Sequence, residues 1–323
     1  MIDISLINLD GEDMTKLAYL FPGQGAQYPG MGKDFYEKFA LAKETFQEAN
    51  DILKRDLMKV IFDGPPEMLT ETRNSQTAIF VFSVAILRVL HSQFPHLQPF
   101  CTAGLSLGEY TAMHAANKFT FADGLRLVEK RGELMNAACE QNKGTMAVVI
   151  GLDNQKMEDV VRECNLPNEL WAANFNCPGQ VVISGTVKGV EAGSAMAKAK
   201  GARMVLPLSV HGAFHSGLMK PAEEKLKSYI ENTPFLKSPT AVVMNYSGSP
   251  IQESATLKEQ LIKQVTSPVL WEKGIRSMMT QGVDFYLEIG PGKTLAGMNK
   301  KIGVTGKTIS IEKVADLEHL VGW

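Results

Sequence analysis

The feature that most constrains this chain is Gly104-Leu-Ser106-Leu-Gly108, which joins an apolar run at 100–103 to a helical run at 107–116. A serine on so tight a strand-to-helix turn leaves no room for Cβ atoms two residues before and after it, and glycine stands at both places. The turn aims the N–H of Leu107 at the space before the serine hydroxyl, and the following helix N-terminus favours negative charge there. Strand, glycine turn and helix form the repeating unit of an open parallel sheet, so the chain is predicted to be α/β.

The same grammar recurs along the chain. A strand at 16–21 runs into a loop dense in glycine, Phe21-Pro-Gly-Gln-Gly-Ala-Gln-Tyr-Pro-Gly-Met-Gly32, and then a helical run at 34–53 carrying Phe35, Phe39 and Phe46. Pro65 and Pro66 break the chain, and 75–90 reads as a helix apolar on most faces and therefore buried. The longest apolar run, 77–87, ends at Arg88, short of the ~20 residues a membrane span needs. Residues 144–208 read differently: strand 146–150, helix 154–164, strands 171–175 and 180–184, helix 188–200, strand 203–208. That order, βαββαβ, is the ferredoxin-like pattern. The expected organisation is a discontinuous large α/β domain (14–140 and 209–318) interrupted by a small one (141–208). Strands near 241–245, 285–289 and 308–311 belong to the second part of the large domain. Residues 1–13 are set apart as an N-terminal extension because the strand pattern begins only at Lys16; Asp3, Asp10, Glu12 and Asp13, with no basic region before an apolar stretch, argue against a signal peptide.

Lys and Arg total 33 against 35 Asp and Glu, a balance that does not suit a nucleic-acid backbone as partner. A hydrophobic share of 45% with 21% charged residues excludes a disordered or fibrous chain. Cys101, Cys139, Cys164 and Cys177 include no Cys-x-x-Cys pair, which argues against a disulfide framework or structural zinc and suits a reducing, cytoplasmic setting.

A serine needs a base to act as a nucleophile. His91 and His96 are read as flanking the exposed end of a helix, His114 lies in the helix after the turn, and His319 is terminal. His211 and His215 share a glycine-bearing loop just after the small domain, where a cleft can form; for either alone, a satisfied structural role is the favoured reading. No Glu follows His211 in an H-E-x-x-H arrangement and Gly212 opposes a helix, so no metal site is expected. Gly290-Pro-Gly-Lys-Thr294 ends like a phosphate loop, but Leu287 stands where its first glycine belongs. Gly23-x-Gly25 likewise meets Tyr28 where a third glycine is needed.

Several separated segments together resemble the malonyl-CoA:acyl-carrier-protein transacylases, the acyltransferases of fatty-acid and polyketide synthesis. They are Phe21-Pro-Gly-Gln-Gly-Ala-Gln27, Gly104-x-Ser-Leu-Gly-Glu-Tyr110, Arg131-Gly132, Asn174-Phe-Asn-Cys-Pro-Gly-Gln-Val-Val-Ile-Ser-Gly185, Gly212-Ala-Phe-His-Ser216, Gln264 ahead of Pro268, and Glu288-Ile-Gly-Pro-Gly292. The resemblance spans about residues 17–311 and implies an α/β-hydrolase-like core with an inserted ferredoxin-like subdomain. It makes Ser106 the nucleophile and His215 its base, with the Gln264 backbone carbonyl orienting the histidine. Gln24 and Leu107 would supply the oxyanion hole through their N–H groups. Arg131, which alone reads as a solvated residue at a helix end, would hold the malonyl carboxylate, and Phe214 would exclude a branched acyl group.

The implied reaction moves malonyl from malonyl-CoA to the phosphopantetheine thiol of acyl carrier protein through a malonyl-serine, with no metal or other cofactor. The implied protein is a monomer with neither a membrane nor a nucleic-acid partner. Leu105 departs from the family, which commonly has His before the nucleophile; His211 is a candidate to compensate. Carrier proteins are acidic, so a basic patch is expected at Lys198, Lys200 and Arg203, or at Lys300 and Lys301. The alternatives are a serine esterase or thioesterase, an acyltransferase of the polyketide pathway, or a docking module without turnover.

Overall fold

The computed structural model describes residues 15–210 and 212–323. The N-terminal extension and His211, with its compensating role, lie outside the described residues. Ten strands are ordered β1 (Lys16–Phe21), β2 (Cys101–Gly104), β3 (Thr145–Ile150), β4 (Leu170–Cys177), β5 (Gln180–Gly185), β6 (Met204–Pro207), β7 (Ala241–Met244), β8 (Ser249–Ile251), β9 (Val283–Ile289) and β10 (Lys307–Ile311) among the described residues.

Six of them form one sheet in the order β10-β9-β1-β2-β7-β8, parallel throughout except for β8 at the edge. Alternation along β1 shows why both faces are covered. Leu17, Tyr19 and Phe21 enter the larger core while Ala18 and Leu20 enter a second core on the opposite face. A parallel sheet flanked by helices needs both faces apolar. The first core is built around helix Thr72–Gln93, buried on nearly every side. Each fully buried Phe there, such as Phe80 or Phe82, contributes roughly 1.5–3 kcal/mol. Helices Trp271–Thr280 and Thr294–Ile302 cover the other face through Trp271, Ile275, Leu295 and Met298.

The second sheet, β4-β5-β3-β6, is antiparallel. Its chain order is β3, helix Asn154–Cys164, β4, β5, helix Val187–Ala199, β6, as expected from the 144–208 pattern. Met157, Val160 and Val190 pack its own core on one face. From the other face Met146, Ala173 and Val182 join the main core. The small sheet is also tied through the backbone to the segment just before helix Trp271–Thr280, since Phe175 N–H donates to the Val269 carbonyl and Val269 N–H to the Ala173 carbonyl.

Some expectations need correcting. The helical run at 34–53 is two helices, Lys33–Lys38 and Ala40–Leu53, with Phe39 extended between them. Neither glycine nor proline marks that break; it lets both Phe35 and Phe46 reach the core. The apolar helix runs longer than 77–87 and is, at 22 residues, long and apolar enough to cross a membrane, but most of it is buried inside the protein. His91 does not sit on an exposed helix end: its ring packs on Tyr19 and its Nε2 is buried. Arg131 lies mid-helix in Phe121–Gln141 and is 1% exposed.

Candidate active site

The carboxyl ends of β1, β2 and β7 lie side by side, because Phe21 pairs with Gly104 and Ala103 with Val243. In an open parallel sheet the loops leaving those ends are where ligands bind. Here they carry Gln24, Ser106 and Asn245. A cavity of about 210 Å³ opens between them and the small sheet, with Ser106, His215, Gln24 and Phe214 on one side and Met146, Asn174 and Val182 on the other.

Ser106 has φ 52°, a left-handed conformation that costs a non-glycine residue roughly 1–2 kcal/mol. The flanking glycines make the turn possible. A Cβ on Gly104 would lie 1.9 Å from the Gly108 carbonyl carbon, and one on Gly108 would lie 2.1 Å from the Phe21 carbonyl oxygen. The turn is clamped by Asn245, whose Oδ1 accepts the Ser106 N–H at 2.7 Å while its Nδ2 donates to the Gly104 carbonyl at 2.8 Å. Gly108, Glu109 and Tyr110 spend their N–H groups on the carbonyls of Leu105, Ser106 and Leu107. The Leu107 N–H has no acceptor among the described residues. Gln24, the other expected oxyanion donor, lines the same cavity.

His215 Nε2 is 2.8 Å from Ser106 Oγ, and His215 Nδ1 is 2.8 Å from the Gln264 carbonyl. A carbonyl can only accept, so Nδ1 carries the proton and Nε2 is left to accept from the serine hydroxyl. Burial, helped by the charge of Arg131, pushes the imidazole down to about 4, so it is neutral at physiological pH. Arg131 donates from Nη2 to Ser106 Oγ at 3.0 Å and to Gln264 Oε1 at 3.0 Å, and from Nη1 to Gln76 Oε1 at 2.8 Å. Its guanidinium also lies over the Tyr110 ring, 5.3 Å from the centroid. Burial lowers its pKa, yet a guanidinium keeps its charge in a protein. Its Nε has no partner among the described residues.

All seven residues expected at the site are therefore brought to one place. Leu105 lines the cavity and packs into the second core, an apolar wall where the family commonly has His. Three neighbours were not foreseen: Gln76, Glu109 and Asn245. Gln76 carried a readable signal, a buried amide in a helix otherwise apolar on most faces. Burial pushes the Glu109 carboxyl up to about 8, opposed by the Asn245 amide, the Arg131 charge and the Gln264 side chain. Among the described residues no group of three or more His, Cys, Asp or Glu is placed to hold a metal.

Fold and site together define an α/β enzyme built around a serine–histidine pair with a buried arginine beside the serine. Residues 18–315 match the acyl transferase domain family. The malonyl CoA-acyl carrier protein transacylase of Bacillus subtilis is 44% identical over 306 residues, covering 94% of this chain and 96% of that one. Its counterpart in Haemophilus influenzae is 39% identical over 302 residues, covering 94% and 97%. Among solved structures, an acyl carrier protein S-malonyltransferase from Vibrio cholerae superposes with a TM-score of 0.91 at 38% identity, covering 95% of this chain and 100% of its own. A malonyl-transacylase in complex with a type II PKS acyl-carrier protein matches with a TM-score of 0.91 at 38% identity, covering 94% and 98%. The chain belongs to the acyl transferase domain family.

Proposed function

We propose that the chain transfers malonyl from malonyl-CoA to the phosphopantetheine thiol of acyl carrier protein, supplying extender units for fatty-acid synthesis. The observation that carries this reading is Arg131, a fully buried cation 3.0 Å from the hydroxyl of Ser106, which itself lines the cavity. An esterase for neutral acyl groups has no use for a charge buried at that cost. A planar guanidinium can hold a carboxylate through two parallel hydrogen bonds.

In the first half-reaction Ser106 Oγ attacks the thioester carbonyl carbon as His215 Nε2 takes its proton. The oxyanion is held by the N–H groups of Gln24 and Leu107. The tetrahedral intermediate collapses, the C–S bond breaks, and the coenzyme A sulfur leaves with the proton from His215. In the second half the carrier thiol gives its proton to His215 and attacks the malonyl ester; Ser106 leaves and regains the proton. The dyad has no carboxylate third member, and the Gln264 carbonyl takes the orienting role. Phe214, 7% exposed at the cavity wall, would crowd a methyl branch on the acyl α-carbon.

The larger sheet is read as an α/β-hydrolase-like core spanning 14–140 and 209–318, and the smaller as a ferredoxin-like subdomain spanning 141–208. The protein is taken to be a cytoplasmic monomer without a membrane partner. The acidic carrier would meet Lys198 and Arg203, both exposed, rather than Lys200, which is paired with Glu163 at 2.7 Å. Lys300 is also exposed, whereas Lys301 contacts Gln180. The test is transfer to holo carrier protein from malonyl-CoA and methylmalonyl-CoA side by side. Malonyl transfer with little methylmalonyl transfer is expected; hydrolysis without transfer to the carrier would favour the esterase reading.

A further inference from the structure

We propose that Glu109 is a positioning residue for the serine–histidine pair, acting through Gln264 and Asn245; this rests on the acyl-transfer reading above. Glu109 is fully buried on helix Gly108–Ala115 and does not line the cavity. One of its oxygens accepts the backbone N–H of Asn245, and the other accepts Gln264 Nε2 at 2.7 Å. Both donors belong to residues that shape the site. Asn245 clamps the serine turn from both sides. Gln264 presents its backbone carbonyl to His215, its Oε1 to Arg131, and its Nε2 also to the Ser106 carbonyl at 2.9 Å.

The physical argument concerns the two faces of the Gln264 amide. Oxygen and nitrogen occupy nearly the same space, so packing alone does not choose between the two orientations. Arg131 can only donate and therefore needs the amide oxygen. The Ser106 carbonyl can only accept, and so can Glu109 once it is ionised, which burial delays to about pH 8; together they hold the amide nitrogen on their side and turn the oxygen towards Arg131. A glutamine at 109 would offer an NH2 group as readily as an oxygen, and that selection would weaken. If Gln264 flipped, its NH2 would face Arg131 Nη2, the nitrogen that also donates to Ser106 Oγ. The guanidinium would then shift away from both the nucleophile and the malonyl carboxylate. Burying a carboxylate is unfavourable unless its oxygens are hydrogen-bonded, and here both bonds go to residues that contact the dyad or its turn.

The experiment, run at about pH 9 where Glu109 is ionised, is a double-mutant cycle on Glu109→Gln and Gln264→Ala, the latter keeping the backbone carbonyl that holds His215. The rate of Ser106 acylation is followed by quenched-flow intact mass across a range of malonyl-CoA and acetyl-CoA concentrations. Each single variant is expected to lower malonyl kcat/KM by about 10- to 100-fold, the range for a hydrogen bond to a charged group. The double variant should be no slower than Gln264→Ala alone. With acetyl-CoA, which has no free carboxylate, kcat should fall while KM stays near the wild-type value. Glu109→Asp, which keeps an acceptor-only carboxylate, should recover part of the loss.

Additive losses in the double variant would overturn the proposal, because Glu109 would then act independently of Gln264. Wild-type loading by Glu109→Gln would overturn it as well. Should Glu109→Gln fail to fold, Glu109→Asp takes its place in the cycle: a loss of malonyl loading that disappears in the Gln264→Ala background supports the proposal, and wild-type loading or a loss additive with Gln264→Ala refutes it. A wild-type protein that acquires no malonyl group defeats the acyl-transfer reading instead, before any variant is compared.

Discussion

Replacing Arg131 by alanine should separate malonyl from acetyl loading more sharply than any other single change. The side chain is 1% exposed and donates to Ser106 Oγ, Gln264 Oε1 and Gln76 Oε1 at 3.0, 3.0 and 2.8 Å. With malonyl bound, its truncation would leave a carboxylate facing a largely apolar cavity. Removing one partner of a buried ion pair costs about 3–5 kcal/mol. At 1.36 kcal/mol per tenfold, that is roughly a 10²- to 10⁴-fold fall in kcat/KM for malonyl loading. Acetyl carries no such charge, so its loading loses only the Nη2 contact to Ser106 Oγ. A neutral-to-charged hydrogen bond of that kind is worth about 1.5–3 kcal/mol at most, so the acetyl loss should be about tenfold to a hundredfold or less. The assay is the time course of Ser106 acylation by intact mass with each thioester, alongside circular dichroism to show that the variant folds. Equal losses for the two thioesters would refute the carboxylate clamp.

Other consequences follow from the same geometry. His215 is held down to about 4, so the acid limb of kcat/KM should fall near pH 4; a limb near pH 6.5 would show that the base is a less buried group. The same depression means that the folded protein binds fewer protons than the unfolded chain between about pH 4 and the ordinary histidine value of 6.5. His215 therefore contributes stability that is fully present above about pH 6.5 and lost as pH falls through about 4, which urea midpoints of wild type and His215→Ala across that range would reveal. Gly104→Ala should unfold the turn or cost more than about 3 kcal/mol, because its Cβ would sit 1.9 Å from the Gly108 backbone; an unchanged thermal midpoint would contradict the steric account. Phe214→Ala should raise methylmalonyl loading relative to malonyl loading, and an unchanged ratio would remove Phe214 from selectivity.

Much of this site was legible from sequence because its parts lie on local patterns. The Gly104–Gly108 spacing encodes the left-handed serine directly, since only two positions without Cβ atoms let the strand and helix approach so closely. The small sheet was legible because βαββαβ is built from near neighbours in the chain. What escaped depends on contacts between distant segments. Glu109 stands in the Gly104–Tyr110 segment, but no role for it is legible until Asn245 and Gln264 are brought against it from the far part of the chain. The break at Phe39 has no glycine or proline to announce it; the core contacts of Phe35 and Phe46 decide it. Strand β8 is short and its residues are only half-buried, so it shows no hydrophobic alternation. Arg131 stands out only through the family resemblance, because nothing about an isolated Arg-Gly pair tells a buried helix centre from a solvated helix end.

The central claim is that Ser106 carries malonyl between two thiols, and a single mass measurement addresses it. The protein is mixed with malonyl-CoA, quenched, digested and mapped; holo carrier protein is then added to a second portion and the map repeated. The account predicts a malonyl ester on the Ser106 peptide, its disappearance with a matching malonyl thioester on the carrier, and no adduct in Ser106→Ala. An adduct that persists in Ser106→Ala, or a Ser106 ester that the carrier thiol does not remove, would contradict it.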